Sequence, residues 1–569
     1  MKPLPQQIQH LIREAILAAQ QDGTLPVFDL PEISVNPAKK ADQGDYGSPV
    51  ALALAKPAGK KPLDIADAIK LHFPQADFLQ SVEVAPPGFV NFRLSENWVR
   101  QQVRTIIAAG ETFGQQDIGH GKKAQVEFVS ANPTGPLHIG RTRGAILGDT
   151  LANLLMECGW TVEREYYFNN AGAQMTLLGN SLKARYLQSL GQDAELPENG
   201  YQGDYLITVA EELKAEVGSA WMQADWKPFK EYAEARIFKM IETTLARVGI
   251  KFDHFFNEQF VYDDQSVWEV LEQLRSKGFI YEAVTREGAA EDELDKARKE
   301  NLTKPAVWFR STQLGDKEDR VVVKSNGEPT YVLPDIAYHI NKLGRGFERI
   351  IDVFGTDHII EAQTVARGLQ ALGYDASKVD VVLHQFVTFG ENKMSTRAGN
   401  YVTLDDLIDE VGRDVVRYFM LARSADSHLD FNFEKAKEQS NENPVYYIQN
   451  AHVRCCGIFR QVEQNGYPEN WDEGADLSLL GAGELAFIRK ALELPEQLVF
   501  AYENLAPHQI AFWALDLARV FHPLYDDVRV LHSEVPEALA RARLQFYRMA
   551  RVVFVRVLGI MGMTAPERM

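Results

Sequence analysis

The 569-residue sequence predicts a multidomain α/β protein, with a doubly wound parallel sheet in its middle, an α+β unit before it and an all-helical unit after it. Three observations carry that prediction. Between about 124 and 400, the apolar runs "AQVEFV", "FERIIDVFG" and "VDVVLHQFVTFG" each lead through a loop into helix-like sequence, the alternation expected of a parallel sheet with crossover helices. Residues 1–112 mix helical periodicity with short strands, and from 405 long helical patterns run to 569. The length allows about three to four domains at ~150 residues each.

In chain order, "MKPLPQQIQHLIREAILAAQ" places Ile8, Leu11, Ile12 and Ile16 at helical spacing with polar residues between them. It reads as an amphipathic helix and not as the apolar core of a leader. "NPAKKADQGDYGSP" is a turn-rich connection, and "VEVAPPGFVNFRL" supplies short strands. The middle unit spans 113–404, and charged helical sequence between about 180 and 310, such as "TREGAAEDELDKARKE", reads as an insertion into it. Residues 405–569 form the helical unit.

Hydrophobic residues make up 45% and charged residues 24% of the chain, an ordinary globular composition. No apolar run approaches the ~18 residues of a membrane span, so no membrane partner and a cytoplasmic location are expected. Cys158, Cys455 and Cys456 show no metal-ligand spacing and cannot form a disulfide framework. The net charge of −19 argues against a surface that grips nucleic acid everywhere, so any polyanion site is local. Arg541, Arg548 and Arg551 fall near one helical face in the last stretch. A solvated face and a nucleic-acid surface explain that equally.

"NPTGPLHIGRTRGAILGD", residues 132–149, joins the strand "QVEFV" to a helix opening near Ile139, with Leu147, Leu151, Leu154, Leu155 and Cys158 on one stripe. In an α/β sheet such a turn lies at the carboxyl end of a strand, where ligands bind, and the amides of a helix start favour anions. Gly135 and Gly140 remove Cβ atoms that would hold a nucleotide away, and His138 stands within reach of a phosphate. Neither common phosphate loop fits the spacing. Further on, "FGENKMSTRAGNYVTLDDL" follows another strand and offers a lysine-bearing loop suited to a triphosphate. Thr403 with Asp406 signals the cap of the next helix.

The first motif, Pro136-x-His138-Ile-Gly140, and the second, Lys393-Met394-Ser395, resemble in type and order the two ATP signatures of class I aminoacyl-tRNA synthetases, which have a Rossmann-like catalytic domain. "VEFVSANPTGPLHIG", "VWFRSTQLGDKEDRVVVKSNGEPTYVLPDIAYHI", "KEQSNENPVYYIQNAHVR" and "APERM" are similar to the bacterial arginyl-tRNA synthetases over nearly the whole chain. The resemblance implies ATP-dependent activation of L-arginine and its transfer to the terminal adenosine of tRNA(Arg), with Mg2+ arriving on the nucleotide phosphates and no protein metal site. It also implies a monomer, a 1–112 domain at the tRNA elbow and a helical domain at the anticodon.

Carried over residue by residue, the resemblance assigns catalysis to His138, Gly140, Arg141, Lys393 and Ser395, and ATP contacts to Pro136, His138, Gly140, Gly355, Asp357, His358, Lys393 and Met394. Ser130, Asn132, Glu258, Tyr331 and Asp335 would bind arginine. Phe89, Asn91, Tyr525 and Met569 would touch tRNA, while Asn450 stands where an aromatic residue is more usual. Chemistry supports the arginine set independently, because a planar, permanently charged guanidinium needs carboxylates and a flat surface. "VVVKSNGEPTYVLPDIAYHI" turns at Asn326-Gly327 and begins a helix near Pro334, so Tyr331 and Asp335 could face one cavity. Asp335 could instead serve its own helix dipole, Asp357 and His358 could be turn formers, and Phe89 could be a buried strand residue.

Two departures stand out: Arg141 replaces a signature histidine, and Thr396, followed by Arg397, replaces a signature lysine. Both loops nevertheless keep a cation suited to phosphate. The two signatures alone also permit another class I adenylate-forming enzyme, and the departures motivate a binding-only relative.

Overall fold

The computed structural model describes residues 2–299, 303–388 and 403–569, grouped by contacts into two compact units. The first unit comprises Met1–Gln116, Gln439–Asn504 and Gln509–Met569, and the second Asp117–Glu438 with Leu505–His508.

In the first unit, α1 (Leu4–Gln21) buries Ile8, Ile12 and Ile16, the stripe its periodicity predicts. After β1 (Asn36–Pro37) and β2 (Tyr46–Ser48) come α2 (Val50–Ala58), α3 (Pro62–Leu71), β3 (Leu79–Ala85), β4 (Phe89–Leu94) and α4 (Glu96–Ala109). The strands form an antiparallel sheet of order β1-β2-β4-β3. β4 alternates cleanly, with Val90, Phe92 and Leu94 inward and Phe89 and Asn91 on the other face.

The second unit begins with β5 (Lys123–Glu127), α5 (Ile139–Glu157), β6 (Thr161–Phe168), α6 (Gly172–Ser189), α7 (Tyr205–Val217), α8 (Trp226–Arg247) and β7 (His254–Asn257). It continues through α9 (Gln259–Asp263), α10 (Ser266–Ser276), β8 (Ile280–Ala283), α11 (Glu291–Lys299), β9 (Ala306–Phe309), β10 (Arg320–Val323), α12 (Val332–Gly344), β11 (Arg349–Gly355), α13 (Ile359–Leu372) and β12 (Val379–His384). β13 (Val387–Thr388), α14 (Leu404–Val411), α15 (Arg413–Leu421), β14 (Leu429–Asp430) and α16 (Phe433–Lys437) complete it.

The central sheet is parallel, in the order β12-β11-β5-β6-β7. The chain starts at β5, builds outward through β6 and β7, then returns to place β11 and β12 on the other side of β5. That reversal puts the switch point between β5 and β11, so their carboxyl-end loops, 128–138 and 355–358, flank the crevice where such sheets bind ligands.

Two stretches differ from expectation. The segment around 180–310 is not only helical: His254–Asn257 is an edge strand of the central sheet, and β8 and β9 join β10 in an antiparallel sheet of order β10-β9-β8. Strands of four residues are too short to show a period. "VDVVLHQFVTFG" is not one strand, because Gln385 donates its N–H to Ala425 O at 2.9 Å and β13 pairs with β14 outside the central sheet. Among the described residues no helix is long and apolar enough to cross a membrane.

In the C-terminal part of the first unit, α17 (Pro444–Gln464), α18 (Ala482–Ala491), α19 (Leu494–Glu503), α20 (His508–Asp527) and α21 (Glu537–Ile560) pack around Phe487, Phe521, Phe546 and Phe554. The arginines left open above have internal partners: Arg541 donates to Trp471 O and Glu473 O, Arg548 forks onto Asp472, and Arg551 lies over Phe459. All three cysteines are buried and none is in a disulfide.

Candidate active site

The glycine-rich turn starts from strained backbone. Val129 and Ser130, directly after β5, hold φ of +68° and +39°, a region non-glycine residues seldom occupy and one that persists only when surroundings enforce it. Buried Tyr166 supplies that enforcement, donating its hydroxyl to Ala131 O at 2.8 Å and accepting Ala131 N–H at 3.3 Å. Farther along, Tyr205 of α7 donates to Thr134 O at 2.6 Å.

α5 opens on His138, whose Nδ1 accepts the Gly140 N–H at 3.1 Å. Burial and then the Arg141 guanidinium lower the His138 pKa, so the ring is neutral. A neutral ring that accepts at Nδ1 carries its proton on Nε2, leaving one donor for a phosphate oxygen. Gly140, Gly144 and Gly148 form a bare stripe at helical spacing. An added Cβ would stand 2.8 Å from His138 Cε1, 2.7 Å from His384 Nε2 and 2.3 Å from Phe128 Cγ respectively. His384, at the end of β12, is 7% exposed, and burial first and then Arg143 and Arg141 push its pKa down to about 4.

Gly355 ends β11 across the switch point and Asp357 and His358 follow it, and a Cβ on Gly355 would meet the Asp357 carboxylate. Lys393, Met394, Ser395, Thr396 and Arg397 lie outside the described residues. The residues after them are tied to the first signature: Leu404 donates its N–H to Leu137 O at 2.8 Å, and Thr403 bridges His138. Thr403 and Asp406 form the expected capping box.

On the other side of the turn, Ser130 donates its hydroxyl to Glu127 Oε1 at 2.8 Å and accepts the Tyr167 N–H at 3.2 Å. Asn132 accepts the Asn169 N–H at 3.1 Å and donates to Gln174 at 3.2 Å. Glu258, at the start of α9, accepts the Tyr167 hydroxyl at 2.8 Å, and burial raises its pKa. Asp335, in the first turn of α12, has its pKa raised well above the usual carboxylate range by burial, then by Glu258 and Glu127. Its helix dipole therefore does not decide its state. Tyr262 is pushed up to about 12 by burial and then by Glu258, Asp335 and Tyr331. Tyr331 is 72% exposed. Glu258, Asp335 and Tyr331 thus lie close enough to Tyr262 to act on it electrostatically, and Tyr167 is bonded to Glu258. Two carboxyl groups with tyrosine rings near them are groups that can hold a flat cation.

A row of buried charge, not foreseen from the sequence, ties α12 to the central sheet. Asp352, Glu127 and Glu165 pair in register across β11, β5 and β6. Fully buried Lys342 of α12 donates to Glu127 Oε2 at 2.6 Å and Asp352 Oδ1 at 2.7 Å, and His339 meets Asp352 Oδ2 at 2.8 Å. Burial lowers the Lys342 pKa, but Asp352 and Glu127 outweigh it and hold the ammonium charged. Arg345 donates to Glu165 Oε1 at 2.9 Å and to Glu163 at 3.1 Å. α12 therefore carries Asp335 at its start and is riveted to the sheet through Lys342, which also fixes Glu127 and, through it, Ser130. Lysine, histidine and arginine at 342, 339 and 345 look like an ordinary polar helix face in sequence, and only the register of the strands reveals their partners.

In the first unit, Phe89 is 38% exposed and shares its sheet face with Asn91, so it is not a buried strand residue. Tyr525 lies beneath the Arg454 guanidinium at 4.7 Å, Met569 is 57% exposed and Asn450 is half-buried on α17.

Three family descriptions match the chain: "tRNA synthetases class I (R), catalytic domain" over residues 102–426, "Arginyl tRNA synthetase N terminal domain" over 6–94, and "DALR anticodon binding domain" over 448–569. The arginine–tRNA ligase of Desulforamulus reducens is 40% identical over 568 residues, covering 98% of this chain and 97% of the relative. That of Desulfotalea psychrophila is 41% identical over 571 residues, covering 99% of each. In fold, Thermus thermophilus arginyl-tRNA synthetase aligns over 100% of both chains with a TM-score of 0.75 at 21% identity. Near-full-length identity at this level, with family matches along all three parts, means that the chain belongs to the arginyl-tRNA synthetase family of class I aminoacyl-tRNA synthetases.

Proposed function

We propose that the protein is an arginine–tRNA ligase that activates L-arginine with ATP and transfers it to the terminal adenosine of tRNA(Arg). The placement of Glu258, bonded to Tyr167, and Asp335 near Tyr262 carries this reading, since two carboxyl groups beside aromatic rings suit a guanidinium. The arginine carboxylate attacks the α-phosphorus of ATP, the P–O bond to pyrophosphate breaks, and arginyl-adenylate forms. The 2′-hydroxyl of the tRNA terminus then attacks the acyl carbon and AMP leaves.

The first step needs positioning and charge stabilisation rather than a strong base, because the attacking carboxylate is already ionised. His138 would donate from Nε2 to a phosphate, the first amides of α5 would add their dipole, and Gly140, Pro136, Gly355, Asp357 and His358 would line the nucleotide crevice. Arg141 supplies a cation there, with Lys393, Met394 and Ser395 contributing from the second signature. Ser130 and Asn132 would hold the α-amino and carboxylate ends of arginine. Magnesium would arrive on the phosphates. The metal-like group among the described residues, Glu163, Glu165 and His254, is already held by Arg345, which leaves it no need of a cation.

We assign tRNA elbow contacts to Phe89 and Asn91 and anticodon contacts to Tyr525 and Met569, in a division of roles among 1–112, 113–404 and 405–569. The protein would act as a cytoplasmic monomer and activate arginine only with tRNA bound. The test is exchange of labelled pyrophosphate into ATP with arginine, lysine or glutamine, with and without total tRNA. Exchange with arginine alone, dependent on tRNA, is expected. Exchange with no amino acid while tRNA still bound would favour the binding-only relative.

A further inference from the structure

Arg143, five residues after His138 in "HIGRTRG", is fully buried, and its bonds among the described residues go to backbone carbonyls. One terminal nitrogen donates to Gln385 O at 3.0 Å and Ser427 O at 2.7 Å, and the other to Ser424 O at 2.8 Å. Its Nε, buried, has no hydrogen-bond partner among the described residues. A buried guanidinium without a bonded carboxylate is costly, and an apolar side chain of similar volume would fill such a site at less expense. Its geometry indicates what the charge is for. Gln385 leaves the end of β12 just ahead of the second signature, the 424–427 turn receives the Gln385 N–H at Ala425 O, and Arg143 bolts both to α5. Beyond the second signature, Leu404 and Thr403 are attached to Leu137 and His138. Arg143 in α5 and the two residues just before that helix therefore hold the chain at Gln385 and at Thr403 and Leu404.

We propose that Arg143 is a positioning residue for the nucleotide: by holding three carbonyls in one planar fork it fixes the end of β12 and the 424–427 turn against the helix start that binds the phosphates. The inference rests on the ATP site proposed above. It predicts an effect on ATP and none on arginine, because the bonds of Arg143 run to the β12 and 424–427 side, while Glu258, Asp335 and Tyr331 lie near Tyr262.

The experiment uses the full chain with Arg143→Lys and Arg143→Gln, measuring tRNA-supported, arginine-dependent pyrophosphate exchange with ATP and arginine varied separately, alongside thermal melts. Lysine keeps the charge as a single point and cannot span three carbonyls. It should lower kcat/KM for ATP about tenfold or more while the KM for arginine moves less than about twofold. Unchanged ATP parameters in folded variants, or equal shifts for both substrates, would overturn the assignment. Should both variants fail to fold, Ser424→Ala with Ser427→Ala breaks the 2.7 Å hydroxyl pair that shapes the turn. The same ATP-selective shift, about threefold, is expected there, and no shift counts against the proposal. Absence of exchange in the unsubstituted chain would speak against the function itself, which separates the two failures.

Discussion

His138 caps its own helix: the Gly140 N–H points at Nδ1 from 3.1 Å, and a Cβ at position 140 would stand 2.8 Å from the same ring. Nδ1 is occupied by the helix start, while Nε2 is the atom that the proposed function assigns to the phosphates, and the two roles can be separated. Asparagine caps helices well and presents an oxygen where Nδ1 lies, but nothing where Nε2 lies. His138→Asn should therefore melt within a few degrees of the parent yet lose about 10²–10³ in kcat, the worth of one phosphate-stabilising donor. A loss of stability with little loss of rate would show that the ring is only a cap.

The glycine stripe of α5 gives a graded test. Gly148→Ala drives a methyl into Phe128 at 2.3 Å inside the core, so destabilisation of about 1–3 kcal/mol is expected, with kinetic constants per folded molecule unchanged. Gly140→Ala presses on the half-buried His138 ring instead, at Cε1 and Nδ1, and should reduce activity more than stability. Denaturant midpoints and exchange rates on the same preparations decide between the two patterns.

Asp335→Asn and Glu258→Gln should each raise the KM for arginine strongly, on the order of 10²-fold for a charged pair lost in a buried site, and leave the KM for ATP nearly unchanged. An unaltered arginine requirement would remove these carboxylates from the site.

Much of this was legible in sequence, and the parts that were not share a physical cause. The sharp turn, the helix opening at His138 and the cap at Thr403 announce themselves because glycine, proline and capping residues act locally. That Tyr331 and Asp335 stand one turn apart at the start of α12 follows from their spacing. Lys342, Arg143, His384, Tyr167 and Tyr262 were not visible, because their roles depend on burial and on strand register, which bring Asp352, Glu127 and Glu165 into one row from positions far apart in the chain. Removing the Lys342 ammonium makes that row testable. Lys342→Met should destabilise the protein by about 3–5 kcal/mol, since it takes from two buried carboxylates the cation they share.

Two buried groups predict opposite pH dependences. The His384 pKa in the folded chain is pushed down to about 4, against an ordinary 6.5, chiefly by burial. The unfolded chain therefore takes up a proton first as pH falls from 6.5 towards 4, and stability declines through that window by up to about 3 kcal/mol. For Glu496, burial and then Glu493 raise the pKa from 4.5 to about 7, so stability present below 4.5 is lost as pH rises through 7. Glu496→Gln should thus stabilise the protein at pH 8 and not at pH 4, and His384→Gln should flatten the acid limb. Unfolding curves across pH check both signs.

Selection of a guanidinium by Glu258 and Asp335 is read out by charging of tRNA(Arg) with arginine against citrulline, which matches arginine in shape but is neutral. Charging with arginine and discrimination against citrulline of about 10⁴ or more in kcat/KM are expected, because the neutral analogue leaves Glu258 and Asp335 without a cation. Comparable charging of the two, or charging with neither, would contradict it.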